Sequence, residues 1–226
     1  IMLAHLIAFL GYLIMPDSTP YANEGSAFIK KKPMGFNVDL LKIKRKREIE
    51  QVNFFRRMLE GQESEYTIEP ISSHEIKGME VKYTIYGEGS TKTIPLIACV
   101  KPLYTEKTKK IPGSAGENYL IKGDSVIYAD LGNNVHSIAK ADLLSQFKED
   151  CIENRTYLLG TDKKGRDTLS RLIFGTRISL SIGFIAVIIA LLLGVSLGAI
   201  GGFFGGFTDR ILMWLMTVVW SIPGIM

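Results

Sequence analysis

Apolar and polar positions divide this chain into three regimes. From residue 178 to 208 there is no Asp, Glu, Lys, Arg or His. Residues 178–200 are almost wholly apolar, and as a helix rising 1.5 Å per residue they reach the ~30 Å of a bilayer core. In lipid, backbone polar groups pair only within such a segment, so the run predicts a membrane span. A buried core helix rarely exceeds ~20 residues. Residues 1–15 (IMLAHLIAFLGYLIM) and 211–226 (ILMWLMTVVWSIPGIM) are also apolar, but a full span needs about 17–25 residues. They are expected to be a first span clipped at its start and a third clipped at its end, making the sequence a fragment. A signal peptide would need a charged start and a small-residue cleavage site, and neither precedes Pro16-Asp17.

Between the apolar ends the periodicity changes. Pro16 and Pro20 break any helix, and residues 17–35 form an irregular leader. Phe36, Val38 and Leu40 alternate with Asn37 and Asp39 as in a strand. Val52, Phe55 and Leu59 mark the core face of a helix over 48–60, stopped by Gly61. Residues 79–86 alternate as a half-buried strand, 87–90 make a turn, and 93–100 form a strand broken at Pro95. A polar loop over 105–116 precedes short strands at 118–122 and 125–130. Residues 139–152 suit a helix with Leu143, Leu144, Phe147 and Cys151 on one side. The sum is an α+β domain of roughly 100–130 residues, large enough for its own core.

Charge sharpens the division, since all but Asp209 and Arg210 of the 50 charged residues lie between positions 17 and 177. The net charge of +4 and the run Lys42 to Arg47, followed at once by Glu48 and Glu50, give no nucleic-acid signature. Cys99 and Cys151 form no CxxC and leave both a free and a paired state open. His74 and His136 have no partner at metal-ligand spacing, and no nucleophile elbow or HExxH occurs. Asn154-Arg155-Thr156 matches a glycosylation acceptor, a pattern frequent by chance.

The approach to the span holds the densest polar pattern. Gly160 to Asp167 (GTDKKGRD) differs from a phosphate loop: Arg-Asp stands where Lys-Ser/Thr must hold phosphate and magnesium. Instead, a short amphipathic surface helix is expected within the segment 158–177, starting near Thr161 or Asp162 as its cap and carrying Leu169, Leu172 and Ile173 on one face. Gly175-Thr176 would then turn the chain into the bilayer. Gly194, Gly198 and Gly202 recur every fourth residue, a spacing that lets another helix approach closely. Gly201 to Gly206 leads out toward Asp209 and Arg210.

LGTDKKGRDTLSRLIFGTRISLSIGF (159–184), GGFFGGFTDRILMW (201–214) and WSIPG (220–224) resemble the permease subunits of dipeptide, oligopeptide and nickel ABC importers, specifically the C-type subunit. The resemblance covers about 70 residues, and Tyr157-Leu158 replaces a common His-Pro. It implies a membrane all-α fold of type I importer helices, carrying a long α+β extracytoplasmic insertion between spans one and two. The implied boundaries are 1–15 for the end of span one, 16–157 for the insertion, 158–177 for the surface helix and 178–204 for span two. A short cytoplasmic loop at 205–210 and the start of span three at 211–226 follow.

The family motif before span two comprises Gly160, Thr161, Asp162, Gly165, Arg166, Asp167, Leu169, Ser170 and Arg171. Gly205, Gly206, Asp209 and Arg210 form the loop after it. None of these is expected to be catalytic, and no cofactor or metal is expected on this chain. The resemblance implies ATP and magnesium on two cytoplasmic ATPase subunits, a second, B-type permease, an extracytoplasmic solute-binding protein and a bacterial inner membrane. The family's ATPase-coupling loop would lie beyond Met226.

Five basic residues before the span and only Arg210 after it would put residues 17–177 in the cytoplasm by the positive-inside rule. The resemblance implies the outside, and it takes precedence because the rule weakens for loops beyond about 60 residues. The competing classes are a membrane-anchored sensor or binding module and an exporter-type subunit with a large outer domain.

Overall fold

The computed structural model describes residues 10–103, 111 and 118–221, in two compact units, Ile1–Gly175 and Thr176–Met226. The first unit opens on a single turn of helix, α1 (Gly11–Ile14), and two 3-10 turns, Pro20–Ala22 and Ala27–Ile29. Its body is a five-stranded antiparallel sheet that runs, from edge to edge, through residues 91–95, 80–85, 66–77, 36–44 and 152–157. The strands are β1 (Phe36–Lys44), β2 (Tyr66–Lys77), β3 (Glu80–Ile85), β4 (Thr91–Pro95) and β8 (Ile152–Tyr157). A second, three-stranded sheet joins β5 (Tyr119–Lys122), β6 (Ser125–Ala129) and β7 (Val135–Ala139).

Both faces of β1, which lies between β2 and β8, are covered. Leu41 faces the main core with Ile71, Val81, Tyr83, Leu96, Phe147 and both cysteines, while Val38 and Leu40 join Ile29 and Tyr157 on the other side. Successive residues of a strand point to opposite faces, so adjacent Leu40 and Leu41 seed two cores. Helices α3 (Leu96–Val100) and α4 (Lys140–Gln146), the latter extended by a π-helical turn Phe147–Cys151, close the main core.

The alternation over 79–86, the strands at 118–122 and 125–130, and the helical face of Leu143, Phe147 and Cys151 agree with their sequence patterns. Other elements differ. The helix expected over 48–60 is only α2 (Phe54–Glu60), because the Asn53 side chain accepts from the Arg56 amide at 2.9 Å and fixes its start. Met58 turns inward, whereas Phe55 and Leu59 are exposed. The strand expected over 93–100 ends at Pro95, after which Leu96, Ile97, Cys99 and Val100 bury themselves at helical spacing. The longest strand, β2, carries little alternation of its own. The loop expected over 105–116 lies outside the described residues except Ile111, which is buried.

No separate surface helix occupies 158–177. Residues 158–167 form turns, and one helix, α5 (Thr168–Phe204), begins at Thr168 and passes Gly175-Thr176 unbroken. Gly costs a helix interior only ~1 kcal/mol, less than its flanking apolar turns sustain.

The second unit holds most of α5 and helix α6 (Gly206–Ser221). Among the described residues, α5 is the one helix long and apolar enough to cross a membrane. Over 178–200 its side chains are exposed around nearly the whole circumference, including Ile182, Val187, Leu191 and Val195. The loop expected over 205–210 shrinks to a tight turn: Gly205 and Gly206 adopt φ of +56° and +52°, and α6 starts at once.

Candidate functional site

The family-like residues between 160 and 171 form a polar collar at the root of α5. Gly160 and Gly165 have φ of +71° and +74°, and a Cβ on either would stand 2.2 Å from the Lys32 carbonyl oxygen or 1.9 Å from that of Ser26. Two strands of backbone therefore touch here as only glycine permits. Thr161 is buried; its amide donates to the Lys32 carbonyl (3.1 Å), its hydroxyl donates to the Ile29 carbonyl, and its oxygen accepts from the Lys32 amide (2.9 Å).

Asp162 folds the turn on itself. Its carboxylate accepts from the Lys164 and Arg166 amides at 2.7 and 3.0 Å and from the Arg166 guanidinium at 2.8 Å. Burial alone would raise its pKa, but these hydrogen bonds prevail and hold the carboxyl below its ordinary value. Arg166 also donates to the Asn23 side chain at 3.0 Å. Asp167, 5% exposed, caps α5 by accepting from the Ser170 amide (2.8 Å) and hydroxyl. Ser170, fully buried, accepts from the Asp17 amide at 2.9 Å. Asp17 in turn accepts from the amides of Thr19 and Glu24 and from the Thr19 hydroxyl. Arg171 donates to the Tyr21 carbonyl at 3.2 Å, while Leu169 is half-buried.

The collar thus fastens the leader, residues 17–32, to the helix root. Asp17, Thr19, Asn23, Ser26 and Lys32 complete it, although sequence patterning leaves them in an irregular stretch. The Asp17-Ser-Thr19 turn was the available signal, since Asp side chains favour hydrogen bonds to backbone two residues on. These carboxylates and hydroxyls are engaged in structural hydrogen bonds, Ser170 with Asp167 and Thr19 with Asp17. Among the described residues no cluster of His, Cys, Asp or Glu has the makings of a metal site.

Elsewhere, Asn154 hydrogen-bonds Asp39 (2.6 Å) and Asn37 (2.7 Å) across the sheet. On β8, burial would raise Glu153, but hydrogen bonds from Arg155 and Lys42 hold it lower. Cys99 and Cys151 are free thiols in the main core; burial pushes both up, Cys151 to about 11. A Cβ added at Gly194, Gly198 or Gly202 would meet nothing within 4 Å, whereas one at Gly201 would meet Leu212 and Asp209 at 3.3 Å. Asp209 lies in the first turn of α6, and Arg210 beside it is exposed.

Comparison with known proteins finds transport permeases that are similar to part of this chain. The chain is 49% identical over 73 residues to the dipeptide transport system permease protein of Haemophilus influenzae, covering 32% of this chain and 25% of that one. It is 43% identical over 68 residues to the glutathione transport system permease protein of Pectobacterium atrosepticum, covering 30% and 23%. With the di/tripeptide transport system permease protein of Pseudomonas aeruginosa it shares 44% over 70 residues, 31% and 23% of the two chains. The resemblance to peptide permeases carried by the motifs is borne out. The chain spans about a quarter of the length of these relatives. No protein-family profile matches it, and no solved structure does.

Proposed function

We propose that this chain is part of a permease subunit of an ATP-driven importer for peptides or a related small solute, lining half of a translocation path that works by alternating access. The observation that carries this reading is the coincidence of two facts. The chain is 43–49% identical to dipeptide and glutathione permeases over about 70 residues, and residues 178–200 of α5 offer an apolar surface suited to cover by lipid or other spans. In this reading residues 178–204 are the second span, Gly194, Gly198 and Gly202 are approach points for neighbouring helices, and α6 begins the third. The sheet-rich region from 16 to 157 is an extracytoplasmic insertion, and the protein sits in a bacterial inner membrane.

The chain does no chemistry of its own in this scheme. ATP and magnesium act on two cytoplasmic ATPase subunits, a B-type permease supplies the other half of the path, and a solute-binding protein delivers cargo. The collar's task is structural: it holds the leader against the start of α5. Affinity purification of the full-length protein from its own membranes tests the reading. Co-purification of an ATPase and a second permease is expected; recovery of neither would favour the membrane-anchored sensor. Deleting residues 36–150 and measuring peptide uptake separates an insertion that docks the binding protein, where uptake falls, from one that does not.

A further inference from the structure

Helix α2 exposes a cluster of large apolar side chains on a regular element of the first unit. Phe54, Phe55 and Leu59 are 61, 70 and 52% exposed, and the two phenyl rings form an edge-to-face pair at 5.8 Å. A soluble surface seldom gathers such groups without a partner.

Two contacts and two exposed side chains define what lies beside them. The end of α2 is pressed against α1: a Cβ on Gly61 would fall 2.8 Å from the Tyr12 ring and from the Ser18 carbonyl oxygen. Tyr12 and Met15 pack on Ile173 and Phe174 near the start of α5, with the Tyr12 and Phe174 rings 6.0 Å apart. Leu13 and Ile14 of α1 are themselves 43 and 53% exposed. The end of the first apolar stretch, at α1, and the start of the apolar run of α5, at Ile173, thus meet at the corner where α2 sits.

We propose that α2 lies in the headgroup layer of the bilayer, with Phe54, Phe55 and Leu59 inserted at the water–hydrocarbon boundary. The inference rests on α5 being a membrane span. A short amphipathic helix with Phe and Leu on its apolar face gains from burying that face at this boundary. Arg56 is held by Glu60 at 2.8 Å and Glu50 at 3.2 Å, so it offers no free positive charge to lipid headgroups and the apolar contact is the main attraction.

The experiment is site-directed spin labelling of the full-length protein in phosphatidylethanolamine–phosphatidylglycerol nanodiscs. Labels go at Phe55→Cys, at Lys122→Cys on the exposed end of β5, and at Leu192→Cys in the middle of α5; the native cysteines are buried and stay unlabelled. Collision with oxygen is expected to exceed collision with a water-soluble nickel chelate at 55 and at 192, with the reverse at 122. A water-like ratio at 55 with a lipid-like ratio at 192 would overturn the proposal and leave the span intact. A label at 55 immobilised and shielded from both reagents would overturn it in favour of a protein partner. A water-like ratio at 192 would remove both readings together.

Discussion

The amide of Asp17 donates to the hydroxyl of Ser170 at 2.9 Å, in a fully buried setting, across 153 residues of chain. Ser170 at the same time donates to Asp167, the residue that caps α5. One hydroxyl therefore joins the leader, the helix cap and the helix itself. Ser170→Ala should destabilise the first unit by about 1–3 kcal/mol, the usual cost of orphaning a buried partner. Thermal unfolding of the reconstituted protein measures this; Arg171→Ala, which removes a solvent-exposed contact, should change it far less.

Gly165 makes a sharper demand. Its left-handed backbone would cost another residue about 1–2 kcal/mol, and any Cβ would collide with the Ser26 carbonyl. Gly165→Ala should therefore lower stability by more than Ser170→Ala does. In protease digestion the leader should be cut first, because its hold on residues 160–166 is what the substitution breaks.

The buried thiols provide a clock for unfolding. With both thiols pushed up by burial, N-ethylmaleimide at pH 8 should leave Cys99 and Cys151 unmodified in the folded protein and modify both in denaturant. The folded pKa of Cys151 lies above its unfolded value, so its contribution to stability is full below about pH 9 and is lost as pH rises through about 11. Unfolding followed between pH 8 and 11 should show stability declining, and Cys151→Ala should flatten that decline.

Asp162 behaves in the opposite sense. Its folded pKa is depressed, so its contribution is present above the unfolded value of 3.8 and is lost as pH falls through the lower folded one. Asp162→Asn should destabilise the collar at neutral pH while reducing the acid sensitivity of unfolding below pH 4.

Local patterning was legible where one residue type decides the outcome. Val81, Tyr83 and Ile85 alternate because one face of β3 is buried, and Leu143, Phe147 and Cys151 recur because one face of the following helix is. The long apolar run was legible from length alone. What escaped was set by distant partners. Phe55 and Leu59 have core-like spacing, yet the two-turn α2 seats itself through Met58 and through Gly61 on Tyr12 instead. Asp162 has the chemistry of a helix cap, but the Arg166 guanidinium and two amides claim its carboxylate, and the cap passes to Asp167. The collar's other half lies in residues 17–32, whose meaning depends on a loop more than a hundred residues away, beyond the reach of any local period.

The most direct test of the membrane span is cysteine substitution along α5, at Ile182, Val187, Leu191 and Val195, in intact membranes. With a membrane-impermeant maleimide, all four positions should stay unlabelled until detergent is added. Labelling of these positions in sealed membranes would place α5 in water and contradict the permease reading.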